Sequence, residues 1–303
     1  MVRQYWAALR ALLVFTVILG FGYPLLVWLV AWLPGLHDKA QGSLVDAGGK
    51  PVGSSLIGQL YLDAAGRPLP QYFQGRPSAA GAGYDPLSSG ASNLGPESIV
   101  DIPADPAKLA AGASPAAAGF RPSLLTQVCS RSAAVSRLEG LDPAGGSRPF
   151  CTPGSVGAVL SVIGPRDARG NVSRPVRVVS VNEPCAADRR PFLDRYEGVP
   201  VHCATFGENY SLGQIVPIRG AAPEDPQVPP DAVTASGSGL DPDISPVYAE
   251  LQIPRVARAR HASQDQIRAV VEQTESGPAL GIFGQACGNV LRLNLELDRR
   301  YPV

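Results

Sequence analysis

The feature that most constrains this chain is an uninterrupted apolar run near its N-terminus. Residues 11–33, ALLVFTVILGFGYPLLVWLVAWL, contain no charged side chain. As a helix this run would be roughly 35 Å long, enough to cross the hydrocarbon core of a bilayer. A cleaved signal peptide is the alternative, but its apolar region would be shorter and followed by small residues. The run ends instead with Trp28, Trp32 and Leu33, and Trp is common at membrane interfaces. We therefore predict an uncleaved transmembrane helix.

The charges that flank the run predict its orientation. Arg3 and Arg10 precede it, whereas Asp38 and Lys39 follow it and cancel each other. Because cytoplasmic flanks carry an excess of Lys and Arg, we expect residues 1–10 in the cytoplasm and the chain after the run outside.

Three residues inside the run point to a contact with another membrane helix. Small residues let two helices approach closely, and neighbouring helices can compensate for a helix-breaking proline. The alternative is that these residues only add flexibility. The candidate contact residues are Gly20, Gly22 and Pro24.

Composition and cysteine usage limit the function further. The chain has 26 basic and 26 acidic residues, so its charge gives no sign of a nucleic-acid partner. Four of its five cysteines lie in the middle, and none forms a C-x-x-C pair that would suggest zinc. An oxidising exterior favours two disulfides with open pairing, and four buried thiols are the alternative. The candidate disulfide residues are Cys129, Cys151, Cys185 and Cys203.

Short apolar segments predict strands in the first and middle parts. Residues 42–62 are typical of a β-hairpin, because two apolar segments flank the turn sequence DAGGK. Residues 98–226 open with an Ala- and Pro-rich linker. Strands are then predicted at residues 156–163, 176–181 and 214–218.

The C-terminal part predicts helices and one strand. Residues 245–246, Ser-Pro, form an N-cap and first turn, and Pro254 should end that short helix and begin a second. Ser263 begins a capping box, and the apolar residues after it recur with helical spacing, which predicts a helix. Residues 289–298, NVLRLNLELD, alternate Leu with polar residues, and this period of two predicts a strand.

The stretch VTASGSGLDPDISP at residues 233–246 resembles a loop that cradles phosphate. Gly237 and Gly239 would let backbone amides approach an anion. The stretch lacks the Gly-Lys-Ser/Thr of a P-loop, and an ordinary turn is the alternative. Asp241 and Asp243 could hold a cation together, or form an Asp-Pro turn before the next helix.

No catalytic set is recognisable in the sequence. No two of the three histidines have a metal-binding spacing. Neither G-x-S-x-G nor H-E-x-x-H is present. The sequence therefore predicts a non-catalytic subunit or binding module, with no metal site and no cofactor bound directly.

Seven ordered blocks resemble the C subunits of the Kdp potassium-transporting ATPases. They read ALRALLVFTVILGFGYPLL, SLIGQ, QYFQGRPSA, YDPLSSGASNLGP, VTASGSGLDPDISP, RVARAR and NVLRLNLELD. The blocks lie in residues 1–97 and about 228–303, so we interpret residues 98–226 as a Cys-containing, β-rich insertion into an exposed loop. The chain departs from the family pattern at Ala91, where the family usually has Gly, and at Asp243, where it usually has His.

The resemblance implies a subunit of a potassium-uptake complex in the bacterial plasma membrane. Its partners would be the channel-like KdpA subunit, the catalytic P-type ATPase subunit KdpB and the small KdpF subunit, and the complex would handle ATP and K⁺. The family's SGSGLDP block has been likened to the nucleotide-contacting signature of ABC transporters. The predicted orientation places it outside, where ATP is scarce, so we expect an indirect role. The block comprises Ser236, Gly237, Ser238, Gly239, Leu240, Asp241 and Pro242.

The expected fold class is α+β. One transmembrane helix would precede a mixed α/β extracytoplasmic domain, residues 34–97 and 227–303, which carries the insertion. The expected function is an accessory subunit that stabilises the assembly and supports the activity of its partners. The alternative is a single-span exported domain that binds a ligand or a cell-envelope component. Expected partner contacts outside the membrane are Ser92, Asn93, Leu94 and Gly95.

Overall fold

The computed structural model describes most of the chain as two compact units. The units are Met1–Gly58 and Gln59–Val303, and each is described by itself. The described residues are 2–80, 83–142, 148–183, 190–278 and 281–303.

An apolar helix of 30 residues, Val2–Ala31, opens the first unit and is long and apolar enough to cross a membrane. It begins before the predicted run and so includes Arg3 and Arg10. It consists of α1 (Val2–Val17), a π-helical turn (Ile18–Gly22) and α2 (Tyr23–Ala31).

The π-helical turn has a cause in the sequence. Tyr23 donates its N–H to the carbonyl of Ile18, five residues earlier, which is the π pattern. Pro24 follows at once, and its ring would crowd a carbonyl of the preceding turn in a regular α-helix. The wider turn relieves this crowding and allows the helix to continue through the proline.

The remainder of the first unit is a short helix and a hairpin. The helix is α3 (His37–Ala40), and the hairpin pairs β1 (Leu44–Ala47) with β2 (Lys50–Ser54) in antiparallel register. Gly48 and Gly49 both have positive φ in its turn, which the sequence DAGGK supplies. The predicted hairpin is present, but its second strand ends at Ser54, and residues 55–61 of the predicted apolar arm are not in a strand.

Two helices precede the strands of the middle segment. They are α4 (Pro106–Ala110) and α5 (Leu124–Glu139). The sequence analysis did not predict α5, although Ser123 caps its start and Gly140 ends it in a left-handed conformation. Leu125 packs against one face of the neighbouring sheet, and Val135 joins the core of the C-terminal helices.

A five-stranded mixed sheet forms the rest of the middle segment. Its order is β5-β6-β4-β3-β7, with β4 and β6 parallel and the other pairs antiparallel. The three predicted strands are present, and apolar clusters cover both faces of the sheet. The strands are β3 (Val159–Ile163), β4 (Arg177–Ser180), β5 (Arg195–Tyr196), β6 (Val199–Cys203) and β7 (Gln214–Pro217).

The C-terminal part combines three helices with a small antiparallel sheet of order β8-β10-β9. Its helices form the largest core cluster, into which Phe73 also inserts. The chain thus has the expected α+β fold, an apolar N-terminal helix followed by an α/β domain. The elements are β8 (Asp243–Ile244), α6 (Pro246–Ala259), α7 (Gln264–Thr274), β9 (Glu275–Ser276), β10 (Cys287–Asn289) and α8 (Val290–Arg300).

The predicted strand over residues 289–298 is wrong, because this segment is the helix α8. Val290, Leu293 and Leu297 are buried with helical spacing. A polar residue, Asn294, is also buried on that face, and its amide bonds both the N–H and the C=O of Phe73 at 2.9 and 3.0 Å. This polar residue concealed the helical period and left the alternating leucines as the visible pattern.

The predicted break at Pro254 is also wrong, because α6 runs through it. The proline removes one helical hydrogen bond. Ile253 and Val256, on either side of it, are fully buried in the core. Burial of this face outweighs the local cost of the proline. The predicted caps are confirmed: Ser245 accepts from the N–H of Tyr248, and Ser263 forms a capping box.

One of the disulfides allowed by the sequence joins Cys129 at α5 to Cys151, with 5.5 Å between their Cα atoms. Cys203 is also disulfide-bonded, and Cys185 lies outside the described residues. Cys287 is a free thiol of intermediate burial.

Candidate functional site

Two family blocks that are far apart in sequence pack directly against each other. Residues 74–80 contain GRPSA, and residues 233–246 contain SGSGLDP. Arg76 forms an ion pair with Asp241 at 2.7 Å between Nη1 and Oδ2. The Ser78 hydroxyl donates to the carbonyl of Gly239. The N–H of Ser236 donates to the carbonyl of Pro77 at 3.3 Å. We call this pair of segments the double loop.

Gly239 lies at the closest approach of the two segments. Its φ is +73°, and a Cβ built on it would lie 2.8 Å from the Cβ of Ala80 and 2.9 Å from its backbone nitrogen. Only glycine fits both this conformation and this spacing. Gly237, two residues earlier, has nothing within 4 Å of such an atom, so its backbone can carry a side chain.

Three backbone N–H groups of the SGSGLDP block donate their hydrogen bonds to acceptors within the same block. The N–H of Gly239 bonds the carbonyl of Ser236 at 3.2 Å. The N–H groups of Leu240 and Asp241 bond the hydroxyls of Ser238 and Ser236 at 3.1 and 3.4 Å. This pattern is typical of a side-chain-supported turn. A phosphate cradle would instead direct such amides outward.

Tyr84 closes the double loop from the side of the GRPSA segment. Its hydroxyl donates to the carbonyl of Arg76, and its N–H donates to Ser78 Oγ at 3.1 Å. Burial raises the pKa of Tyr84 to about 12, and the charge of Asp241 acts in the same direction. The phenol is therefore neutral and able to donate at physiological pH.

The two aspartates of the DPD sequence have different partners. Asp241 binds Arg76, whereas Asp243 lies in β8 and accepts from Asn289 Nδ2 at 3.1 Å. Ser245, not an aspartate, caps α6, and Asp231 in turn holds the Ser245 hydroxyl at 3.0 Å. Among the described residues no group of three or more His, Cys, Asp or Glu could hold a metal ion. Asp243 thus ties β8 to β10.

The other predicted contact residues are exposed, with the exception of Gly95. Residues 86–94 form a continuous exposed stretch that includes Ser92, Asn93 and Leu94, and Leu87 within it is 97% exposed. Gly95 follows and is half-buried. In the other unit, Gly20 and Gly22 lie in the π-helical turn and Pro24 follows it.

A buried ion pair that the sequence analysis missed joins α5 to α6. Arg255 Nε lies 3.0 Å from Glu139 Oε1, and the two side chains are 5% and 1% exposed. Arg255 also donates to the carbonyls of Pro70 and Tyr72 at 2.6 and 2.9 Å. Burial raises the pKa of Glu139, and the charge of Arg255 opposes that shift. In the sequence, the serine cap and the terminal glycine could have indicated where α5 begins and ends. The Ala- and Pro-rich linker before them suggested an unstructured region instead.

Known proteins match the chain over most or all of its length. The family described as "KdpC: K+-transporting ATPase, c chain" matches residues 5–112 and 214–299. A protein named potassium-transporting ATPase KdpC subunit from Kineococcus radiotolerans is 34% identical over 302 residues, covering 100% of this chain and 96% of that protein.

Proteins of the same name give similar results in two other bacteria. The one from Caulobacter vibrioides is 32% identical over 296 residues, covering 97% of this chain and 92% of that protein. The one from Mycobacterium tuberculosis is 32% identical over 297 residues, covering 98% of each. The chain therefore belongs to the KdpC family, the c chain of the K⁺-transporting ATPases.

Proposed function

We propose that this chain is a non-catalytic accessory subunit that stabilises a potassium-transporting P-type ATPase complex. The observation that most supports this role is the closed double loop. Its charged, hydroxyl and backbone groups bond one another, which supports a role for the SGSGLDP block in shaping a surface. ATP hydrolysis and K⁺ transport would then be carried out by the partner subunits KdpA, KdpB and KdpF.

The membrane helix is proposed to bind a partner helix at its π-helical turn. Gly20 and Gly22 expose backbone there, and a widened turn beside Pro24 gives the helix an irregular surface. Small residues of this kind allow close packing in lipid, where apolar surface alone provides no driving force. The expected neighbour is the channel-like subunit.

The exposed stretch 86–94 is proposed as the contact surface outside the membrane. It combines the almost fully exposed Leu87 with the polar side chains of Ser92 and Asn93. Exposed loops with this mixture serve recognition more often than core packing. Through such contacts the domain would cover or stabilise the ion entrance and so bias the conformational states of the pump.

The orientation of the domain decides between this proposal and a cytosolic nucleotide site. Ser238 is exposed on the double loop, so a Ser238→Cys variant in a Cys287→Ser background offers one accessible thiol there. A Gln4→Cys variant in the same background is the matched control for the opposite end of the helix. Intact cells are treated with a membrane-impermeant maleimide, and the Cys287→Ser parent gives the background signal.

Labelling of the Ser238→Cys variant and protection of the Gln4→Cys variant are the expected results. The reverse pattern would contradict the extracytoplasmic assignment and would make a cytosolic role for the SGSGLDP block the better account.

A further inference from the structure

A cavity of about 210 Å³ lies between the double loop and α5. One wall is the GRPS segment with Tyr84, and the opposite wall is the face of α5 that carries Arg131 and Leu138. Arg131 lies in the part of the chain that the family match leaves out, between residues 112 and 214. The middle segment and the family core therefore build this cavity together.

Two guanidinium groups meet at the cavity. Arg131 Nη1 donates to the carbonyl of Val233 at 3.1 Å, and Arg76 Nη2 donates to the carbonyl of Thr234, the next residue, at 3.4 Å. Because the two arginines bond adjacent peptide groups, their charged ends lie close together.

The positive charge of this pair is only partly balanced. Asp241 neutralises Arg76. Arg131 Nη2 donates to the neutral side chain of Gln127 at 3.0 Å, and no ion pair of Arg131 exists among the described residues. Burial lowers the pKa of Arg131, because removing a cation from water without a counter-charge is unfavourable.

The missing counter-charge of Arg131 points to an oxygen-bearing anion, because such a group accepts hydrogen bonds from a guanidinium group and balances its charge.

The size and the walls of the cavity narrow the choice of anion. Pockets for drug-sized ligands are roughly 300–1,000 Å³, so this cavity can surround only a smaller molecule or group. Leu60, Val135 and Leu138 give the walls apolar surface, which suits a short hydrocarbon body better than a bare inorganic ion. A carboxylate presents two oxygens that match the donors of a guanidinium group.

We propose that this cavity binds a small organic carboxylate, held by Arg76 and Arg131, with its short apolar body against α5. The ligand would link the middle segment to the double loop. Such a site goes beyond the accessory role proposed above and does not depend on it.

The test is calorimetric titration of the purified full chain in detergent with butyrate at constant ionic strength. Butyramide, the uncharged analogue, and inorganic phosphate are the comparison ligands. We expect saturable butyrate binding, at least tenfold weaker binding of butyramide and phosphate, and at least a tenfold loss of butyrate affinity in the Arg131→Gln variant. An Arg137→Gln variant is the matched control, because Arg137 is exposed on the same helix.

Three outcomes would overturn the proposal. They are no saturable butyrate binding, equal affinity for phosphate, and unchanged butyrate affinity in the Arg131→Gln variant. If that variant does not fold, Leu138→Trp decides, since it fills the cavity and keeps both arginines. Loss of butyrate binding in Leu138→Trp supports the site, and retained binding contradicts it.

Discussion

At the scale of single residues, Gly239 determines how closely the double loop can pack. A Cβ at this position meets Ala80 at 2.8 Å and requires a positive φ from an L-residue. We expect Gly239→Ala to lower the free energy of unfolding by about 1–3 kcal/mol. Urea unfolding of the full chain followed by far-UV circular dichroism measures this, because all three Trp residues lie in the apolar helix or directly after it and do not report on the domain.

Gly237→Ala is the control for that substitution. Nothing lies within 4 Å of its added methyl group, so its effect should stay within about 0.5 kcal/mol. Equal destabilisation by the two substitutions would show that the close packing at Ala80 is not what requires glycine at position 239.

The buried tyrosines predict a specific loss of stability at high pH. Burial raises the pKa of Tyr61 and of Tyr84 to about 12, and it also raises the pKa of Tyr248. The unfolded chain releases these protons near pH 10 and the folded chain releases them later, so the folded state binds more protons in between. Stability should therefore fall as the pH rises from about 10 to about 12.

Phenolate absorbance and circular dichroism recorded together across that range test this prediction. The buried phenols should ionise as the domain unfolds, and a Tyr84→Phe variant should show a shallower loss of stability with pH. Ionisation of all phenols near pH 10 with an unchanged dichroism spectrum would be inconsistent with buried tyrosines.

Parts of the site could be predicted from the sequence, and the rest depended on tertiary contacts. The turn character of SGSGLDP followed from its Ser, Gly and Asp residues, which bond nearby backbone. The ion pair of Arg76 with Asp241 joins residues separated by 165 positions, and no local pattern indicates it. Arg131 could not be assigned to a site until α5 was known to be a helix packed beside the double loop.

At the scale of elements, α8 and α6 show why periodicity misled the sequence analysis. Asn294 occupies a core position of α8 because it satisfies the backbone of Phe73, so a polar residue stands where the helical pattern expects an apolar one. Pro254 is tolerated within α6 because residues on both sides of it are buried. In both helices tertiary packing outweighed local preference. The strands β3, β4 and β7 were predictable because they are short apolar runs between turn residues.

The contact of α5 with α6 predicts strong coupling between the middle segment and the family core. Removing one partner of a buried ion pair leaves the other charge uncompensated and costs about 3–5 kcal/mol. We expect Glu139→Gln to destabilise the domain by about that amount, since Arg255 would remain buried. Urea unfolding of the full chain gives the value.

Glu272→Gln is the control for the ion pair, because Glu272 is exposed on α7. It should change the free energy of unfolding by less than about 0.5 kcal/mol. A Glu139→Gln variant as stable as the wild type would mean that α5 is not held to the core by this pair.

The disulfide at α5 should stabilise the same region. It closes a loop with a sequence separation of 22, for which chain entropy predicts about 3 kcal/mol. A Cys129→Ser, Cys151→Ser double variant should lose about that much stability, whereas Cys287→Ser should lose little. Equal stability of the double variant and the wild type would indicate that the bridge constrains neither α5 nor the segment after it.

At the scale of the whole molecule, the chain combines an apolar N-terminal helix with a folded α/β domain, as the KdpC family relationship leads one to expect. Two ion pairs hold the domain together, Arg76 with Asp241 at the double loop and Glu139 with Arg255 at the junction of α5 with α6. This arrangement supports the proposal that the chain acts by binding partner subunits. The account therefore depends on the complex that the chain forms in its membrane.

Affinity purification of the tagged full chain in mild detergent from potassium-starved cells tests that claim most directly. The account predicts stoichiometric recovery of a P-type ATPase and of a large multi-span channel-like subunit, identified by mass spectrometry. Recovery of the chain alone, or with cell-envelope proteins only, would contradict the account and favour an exported domain that binds its ligand independently.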